Sequence, residues 1–242
     1  MTYGNFKKFV LAYVKRTAAH LTVDSIDCLG VAINSARKYS ERLVDFEVNR
    51  VRAKVVIDLA NGTDVSAITT TAGGPISVKT IKAATVSYSE DLDIPLDLIS
   101  RAAHLNRTKR TLDASLRDVK ATEEDYIEVP SLSLVRLGTL LYLSPNTASS
   151  YSATPTTATT VTVGLDVIKW LPDYSADNDT DWFLTDCYDY MVFRTVQMIN
   201  AFLKEDVRIP INVKLLDESW RSVKILDAKL LDGAVDVSTS LD

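Results

Sequence analysis

Histidine, cysteine and long apolar runs are what this 242-residue chain has least of. Its two histidines, His20 and His104, are too few for most metal or triad chemistry, and each stands outside any nucleophile motif. The two cysteines, Cys28 and Cys187, permit one bridge at most, which excludes a disulfide framework; both are expected to be reduced, buried thiols. No apolar run is long enough to cross a membrane, and residues 1–8 lack the apolar core of a signal peptide, so neither a membrane anchor nor export is expected. No Gly-rich phosphate loop, no Cys-x-x-Cys and no His-Glu-x-x-His occurs. Asp91 and Asp93 are the nearest approach to paired catalytic carboxylates, a pairing that arises in most acidic chains. The run Asp177-x-Asp179-x-Asp181 opens like a calcium loop, but Trp182 and Tyr188 stand where such a loop needs glycine and glutamate. Its better use is to cap a helix. These absences point away from an enzyme, and no cofactor or metal is expected.

What is present is an uneven charge. The net value of −5 divides into a mildly basic first half and an acidic second half. Residues 1–60 carry 10 basic and 6 acidic side chains, whereas residues 121–180 carry 2 and 8. The basic residues gather at Arg37, Lys38, Arg42, Arg50, Arg52 and Lys54, and again at Arg101, Arg107, Lys109, Arg110, Arg117 and Lys120. Such clusters suit a phosphate backbone or an acidic protein surface, or else a solvated face.

Hydrophobic spacing gives the elements. Phe6, Phe9, Val10, Tyr13 and Val14 recur at three and four, which predicts a first helix. Thr22 or Asp24 is expected to cap a second one. Its stripe would be Ile26, Leu29, Ile33, Ala36 and Leu43, with Gly30 mid-helix and Arg37, Lys38, Glu41 and Arg42 outside the stripe. From Arg50 to Val55 the pattern alternates with period two and predicts a strand running to the Asn61-Gly62 turn. Further strands are expected over 76–88, 126–129, 133–143 and 161–170, with Gly138 at a tight turn or bulge. Ile94-Pro95-Leu96 is expected to break the sheet and lead into a short helix over 96–104, and residues 144–160 to form a long hairpin loop. A long helix should open at Trp182 with Phe183, Tyr190, Val192 or Phe193, Val196, Ile199 and Leu203 inward. A final one should start at Pro210, carry Leu215, Leu216, Trp220, Val223, Leu226 and Leu230 on its buried side, and end at Asp232-Gly233. The expected fold class is α+β: a helical base from the N- and C-terminal helices (1–45 and 181–232), a central β-rich module (46–180) and an extended C-terminal tail (233–242).

Three local patterns carry a resemblance. Ala32-Ile33-Asn34-Ser35-Ala36-Arg37 lies on the second helix, and Val135-Arg136-Leu137-Gly138-Thr139-Leu140-Leu141-Tyr142-Leu143-Ser144-Pro145 forms a strand pair ending at proline. Asp179-Thr180-Asp181-Trp182-Phe183-Leu184 opens the long helix. In this order and at these distances they resemble the head-to-tail adaptor (connector) proteins of short-tailed bacteriophages. Residues 97–125 and 144–160 are longer than that likeness leads one to expect.

The resemblance implies a structural virion protein of the neck or tail, assembled in the host cytoplasm. It implies a homo-oligomeric ring of about twelve copies between the portal protein and the tail or nozzle proteins, around the DNA channel. The C-terminal tail, with Val235, Val237, Leu241 and Asp242, would dock on the portal and order on binding. Arg37, Lys38 and Arg42, or Arg101, Arg107, Lys109 and Arg110, would face packaged DNA in weak, non-specific contacts. The alternative is a phage tail or surface-binding module that stacks a glycan on Tyr88, Tyr126, Tyr142, Tyr151, Trp170 and Tyr174.

Overall fold

Helix α1 (Tyr3–Val14) starts where two backbone carbonyls from the far end of the chain receive its first N–H groups: Tyr3 N donates to Asp179 O (2.7 Å) and Gly4 N to Asp177 O (2.9 Å). It ends at Lys15, whose left-handed backbone (φ 52°) lets Lys15 N and Arg16 N close back on Ala12 O and Leu11 O. The structure, a computed structural model, describes residues 1–89, 92–99, 132–144, 157–202 and 213–239. It is α+β and divides into two units, Met1–Asn49 with Leu171–Asp242, and Arg50–Trp170.

In the helical unit, α1 buries Tyr3, Phe6, Val10 and Val14. Phe9 and Tyr13, expected on that face, are instead 44% and 46% exposed. At about 100° per residue they fall on the flank of the stripe that Phe6 and Val10 define. A small hairpin follows, β1 (Thr22–Val23) paired with β2 (Ile26–Asp27) through Asp24 and Ser25, both at positive φ. Neither Thr22 nor Asp24 therefore caps the second helix. Asp27 does, accepting from Gly30 N at 2.9 Å, and α2 runs Cys28–Leu43 with Ile26 outside it and Leu43 exposed. Gly30 sits in the first turn rather than mid-helix. A Cβ there would lie 2.7 Å from Asp27 Oδ2 and 2.8 Å from Tyr3 Oη, so any larger residue would have to push both side chains aside.

The C-terminal helices are α3 (Trp182–Thr185), α4 (Tyr188–Phe202) and α5 (Val213–Thr239). Asp181 caps α3 by accepting from Leu184 N at 3.1 Å, as its acidic setting suggested. The long helix expected from Trp182 is interrupted at Asp186-Cys187. Phe183, Tyr190, Val192, Val196 and Ile199 are buried, Phe193 is half-buried, and Leu203 and Pro210 lie outside the described residues. On α5 the inward positions are Leu216, Trp220, Val223 and Asp227, whereas Leu215, Leu226 and Leu230 are exposed, contrary to expectation. Phe46 is at the centre of this core, fully buried, with its ring against Trp182 (5.8 Å), Phe183 (5.1 Å) and Trp220 (6.2 Å). Residues 46–49 and 171–180 thus belong with the helices and not with the β-rich module, as the expected boundaries had it.

The β unit is one mixed sheet in the order β4-β9-β8-β7-β6-β10-β3-β5. Its strands are β3 (Arg50–Asp58), β4 (Thr63–Asp64), β5 (Thr69–Thr70), β6 (Val78–Ser89), β7 (Leu92–Ile99), β8 (Ser133–Leu137), β9 (Leu140–Ser144) and β10 (Thr160–Lys169). β3 buries Ala53, Val55 and Ile57 and turns Arg50, Arg52, Lys54 and Val56 outward, the alternation expected of it. Gly62 and Gly138 hold the turns after β3 and between β8 and β9 at positive φ (73° and 66°).

Two expectations fail here. Ile94-Pro95-Leu96 does not break the sheet: Pro95 pairs with Thr85 inside β7, and no helix begins at Leu96. Among the described residues β8 pairs with β7 from Asp97 onward, so the described ladder gives Pro95 a neighbour on one side, where a missing N–H is tolerated. Residues 144–160 do not form a hairpin loop either, because β9 pairs with β4 and β8 whereas β10 pairs with β3 and β6. Three strands, β8, β7 and β6, stand between β9 and β10 in the sheet order, and residues 145–156 lie outside the described residues. Residues 126–129 lie outside the described residues.

Candidate functional site

The residues expected to face DNA separate into three fates. Arg37 is inside the protein. It stands four residues after Ile33, in the buried stripe of α2, and its side chain is 1% exposed. Nη1 donates to Asp181 Oδ2 at 3.1 Å, Nη2 donates to the Pro172 carbonyl, and the guanidinium lies 4.1 Å from the centre of the Tyr174 ring. Arg37 therefore cannot meet DNA, and that expectation is withdrawn. Lys38 is 41% exposed and bonds Asp173 at 2.7 Å; Arg42 is exposed. Arg101, Arg107, Lys109 and Arg110 lie outside the described residues, as does His104.

Around Arg37 the chain builds a buried polar cluster. Tyr174 Oη donates to Asp181 Oδ2 at 2.6 Å; burial, then the Asp181 charge, push the phenol well above its ordinary pKa and keep it a donor. Asn34 exchanges two hydrogen bonds with the Tyr174 backbone, giving Nδ2 to its carbonyl at 3.2 Å and taking its N–H at 2.9 Å. Glu41, expected at the surface, is 1% exposed, and its Oε1 accepts from both Asn49 Nδ2 and Leu171 N at 3.2 Å. Those two residues are the last and first of the helical unit on either side of the β unit. Asp227 on α5 caps the short turn Glu47–Asn49, accepting from Glu47 N at 2.8 Å; burial raises its pKa more than that bond lowers it. All of this is structural chemistry. It fastens the segment 171–181 to α2.

The remaining polar candidates are also accounted for. Asp179 accepts from Ser175 N (2.7 Å) and Ala176 N (2.8 Å), which lowers its pKa from 3.8. A depressed carboxylate stabilises the fold above that value, and the contribution is lost as pH falls through the folded pKa. Stability should accordingly fall as pH drops below about 4. The Asp179→Asn variant should show a flatter decline in urea unfolding midpoints between neutral and acid pH. His20 Nδ1 bonds Thr17 Oγ1 at 2.8 Å on the exposed turn Ala18–Leu21. Asp93 accepts from Ser87 Oγ at 2.6 Å, and Asp91 lies outside the described residues. Both cysteines are free; Cys187 is buried, its thiol pushed up to about 12 chiefly by burial, but Cys28 is only half-buried, not the buried thiol expected. Among the described residues no group of three or more histidines, cysteines and carboxylates could hold a metal, and no helix is long and apolar enough to cross a membrane.

The C-terminal segment differs from expectation as well. α5 continues through Asp232 and Gly233 to Thr239, so Val235 and Val237 stand on a helix and not in an extended tail; Leu241 and Asp242 lie outside the described residues. One glycine costs a helix only about 1 kcal/mol relative to alanine, too little to stop one already 20 residues long. Three of the six aromatics expected to stack a glycan have described side chains. Tyr174 is buried in the helical unit, Tyr142 packs against Gly62, and Trp170 lies beneath Lys79. Tyr126 and Tyr151 are outside the described residues, and the side chain of Tyr88 is likewise not described.

What the helical unit does present is uncovered apolar surface. Phe9 and Tyr13 project from α1, Tyr13 with its ring edge on Phe193 at 6.3 Å. Leu215, Leu226 and Leu230, spaced by 11 and 4 residues, form a second exposed stripe along α5, with Ile225 beside it. Most of these residues have the spacing of a core face; their number, more than one amphipathic stripe can bury, was the available signal. No protein-family model matches the chain, and no curated protein matches it.

Proposed function

We propose that this protein is a non-enzymatic structural component of a virion, a head-to-tail adaptor that assembles as a ring of about twelve copies between the portal and the tail or nozzle proteins. The observation that carries this reading is the apolar surface the chain leaves uncovered on α1 and α5. A chain that stayed alone would expose Phe9, Tyr13, Leu226 and Leu230 to water, and neighbouring copies would bury them. The buried polar cluster around Arg37 is consistent with it, because its charged groups are engaged in holding the fold. In the ring, the end of α5 with Val235 and Val237, and Leu241 and Asp242 beyond it, would meet the portal. Lys38 and Arg42, or Arg101, Arg107, Lys109 and Arg110, would face the passing DNA.

The test is a mass measurement of the purified protein, alone and with portal rings. A multimer that joins the portal is expected, and Leu226→Glu combined with Leu230→Glu should weaken assembly about tenfold or more while leaving helix content unchanged. A protein that stays monomeric with portal and binds a glycan sinks the adaptor reading in favour of the surface-binding one.

A further inference from the structure

One short turn bends the sheet. β3 stands next to one edge and β4 at the other, with five strands between them in the sheet order. In a flat sheet that separation would be roughly 29 Å, at about 4.8 Å per strand. Between Asp58 and Thr63 the chain has only the four residues 59–62, a reach of at most about 18 Å. The sheet must therefore curl until β3 and β4 meet, and this turn is the seam that holds them. Thr63 Oγ1 accepts from Asp58 N and donates to the Val56 carbonyl, both at 3.0 Å, while β4 pairs with β9 at Thr63↔Leu141 and Asp64↔Leu140. Inside the turn Asp58 is the clamp. Its Oδ1 accepts from Ala60 N at 2.8 Å and Asn61 N at 3.0 Å, and its Oδ2 accepts from Asn61 Nδ2 at 3.1 Å. Gly62 N donates to the Asp58 carbonyl at 2.9 Å, and Asn61 is exposed.

We propose that Asn61 is a site of covalent self-modification, deamidated by the Gly62 nitrogen whenever the Asp58 clamp opens. An asparagine followed by glycine is the pair best suited to this reaction, because glycine puts no side chain in the way of its own backbone nitrogen. The Gly62 nitrogen gives its proton to hydroxide and bonds Asn61 Cγ. The Cγ–Nδ2 bond breaks, and Nδ2 leaves as ammonia with a proton taken from water. Water then opens the cyclic imide at either carbonyl, giving aspartate or isoaspartate. In the closed turn the reaction is held back twice: the attacking N–H is engaged by the Asp58 carbonyl, and Nδ2 is turned toward Asp58 Oδ2. Opening the turn removes both restraints together, so the rate follows the local opening of the seam. The product closes the seam poorly. A new carboxylate would replace the Nδ2 donor that lies 3.1 Å from Asp58 Oδ2, setting two like charges together. Isoaspartate would lengthen the main chain just before Gly62, where a Cβ would already lie 2.6 Å from Tyr142 Cε1 on β9. The modification is thus a one-way loosening of β4 from β9. It is independent of the ring reading, since it rests on the β unit alone.

The experiment is peptide mapping by mass spectrometry of the full chain aged in mildly alkaline buffer, native and in urea, with isoaspartate read by methyltransferase labelling. Conversion at Asn61 is expected ahead of Asn5, Asn34 and Asn49, and about tenfold or more slower in the native chain than in urea. Asp58→Ala should recover most of that difference, with circular dichroism unchanged. Should Asp58→Ala unfold, Asp58→Asn, which keeps one acceptor oxygen, reads the same clamp. Equal rates in the native and unfolded chain would overturn the proposal, and so would an unchanged native rate in the Asp58 variants. Complete conversion in urea with none in the native chain would overturn the site itself. Asn61→Asp should speed hydrogen exchange of the Gly62 amide and of the Val65 amide, which bonds the Thr139 carbonyl at 2.7 Å, by about tenfold. Unchanged exchange would overturn the loosening of β4.

Discussion

Replacing Arg37 with alanine should destabilise the protein by about 3–5 kcal/mol in urea unfolding, the range for breaking one side of a buried ion pair. The cost has three sources. Asp181, whose side chain is only 15% exposed, would keep the Tyr174 hydroxyl and the Leu184 N–H but lose its countercharge. The Pro172 carbonyl would lose its Nη2 donor, and the Tyr174 ring would lose the guanidinium stacked upon it. Arg37→Lys should recover little, because an ammonium cannot span Asp181 and the Pro172 carbonyl as a planar fork does. The neighbouring Lys38→Ala is the control: its pair with Asp173 is exposed at both ends and should be worth under about 1 kcal/mol. A loss that small for Arg37→Ala would put the guanidinium back at the surface and reopen its role toward DNA.

Phe46→Ala should cost a similar amount, about 3–5 kcal/mol, for a different reason. The ring is fully buried and touches Trp182, Phe183 and Trp220, so its removal leaves a cavity lined by large, rigid aromatics that cannot collapse into it. Trp220→Ala should fall toward the lower end of the same range. Trp220 is only partly buried, although it packs against both Tyr190 (5.0 Å) and Phe46. Thermal unfolding followed by near-ultraviolet circular dichroism reads both variants, because the aromatic cluster itself supplies the signal. A Phe46→Ala loss under about 1 kcal/mol would mean that residues 46–49 are not part of the helical core.

The parts of this fold that a reader of the sequence can recover are those whose cause is local. The helices at both ends, the alternation of β3, the turn at Gly138 and the cap at Asp181 each follow from residues within a few positions of one another. What escaped depends on partners far along the chain. Arg37 and Glu41 look like the polar flank of an amphipathic helix until residues 171–181 fold over them, and the partners of Arg37 lie more than 130 positions away. Pro95 looks like a strand breaker because nothing nearby reveals that β8 joins its strand two residues later. Leu226 and Leu230 mislead in the opposite sense. Their spacing is that of a core face, but among the described residues it is Leu216, Trp220 and Val223 that α5 packs into the helical core.

The Glu41 carboxylate has a consequence for how such a chain can change over time. One oxygen atom holds Asn49 and Leu171, so the points where the β unit leaves and re-enters the helical unit are fixed without reference to what lies between them. Loop-closure entropy grows only with the logarithm of length, about 0.6 kcal/mol for each doubling. An insert much longer or shorter than Arg50–Trp170 would therefore strain the helical unit little. An enlarged or shortened sheet would leave the clasp that Glu41 makes on Asn49 and Leu171 as it is.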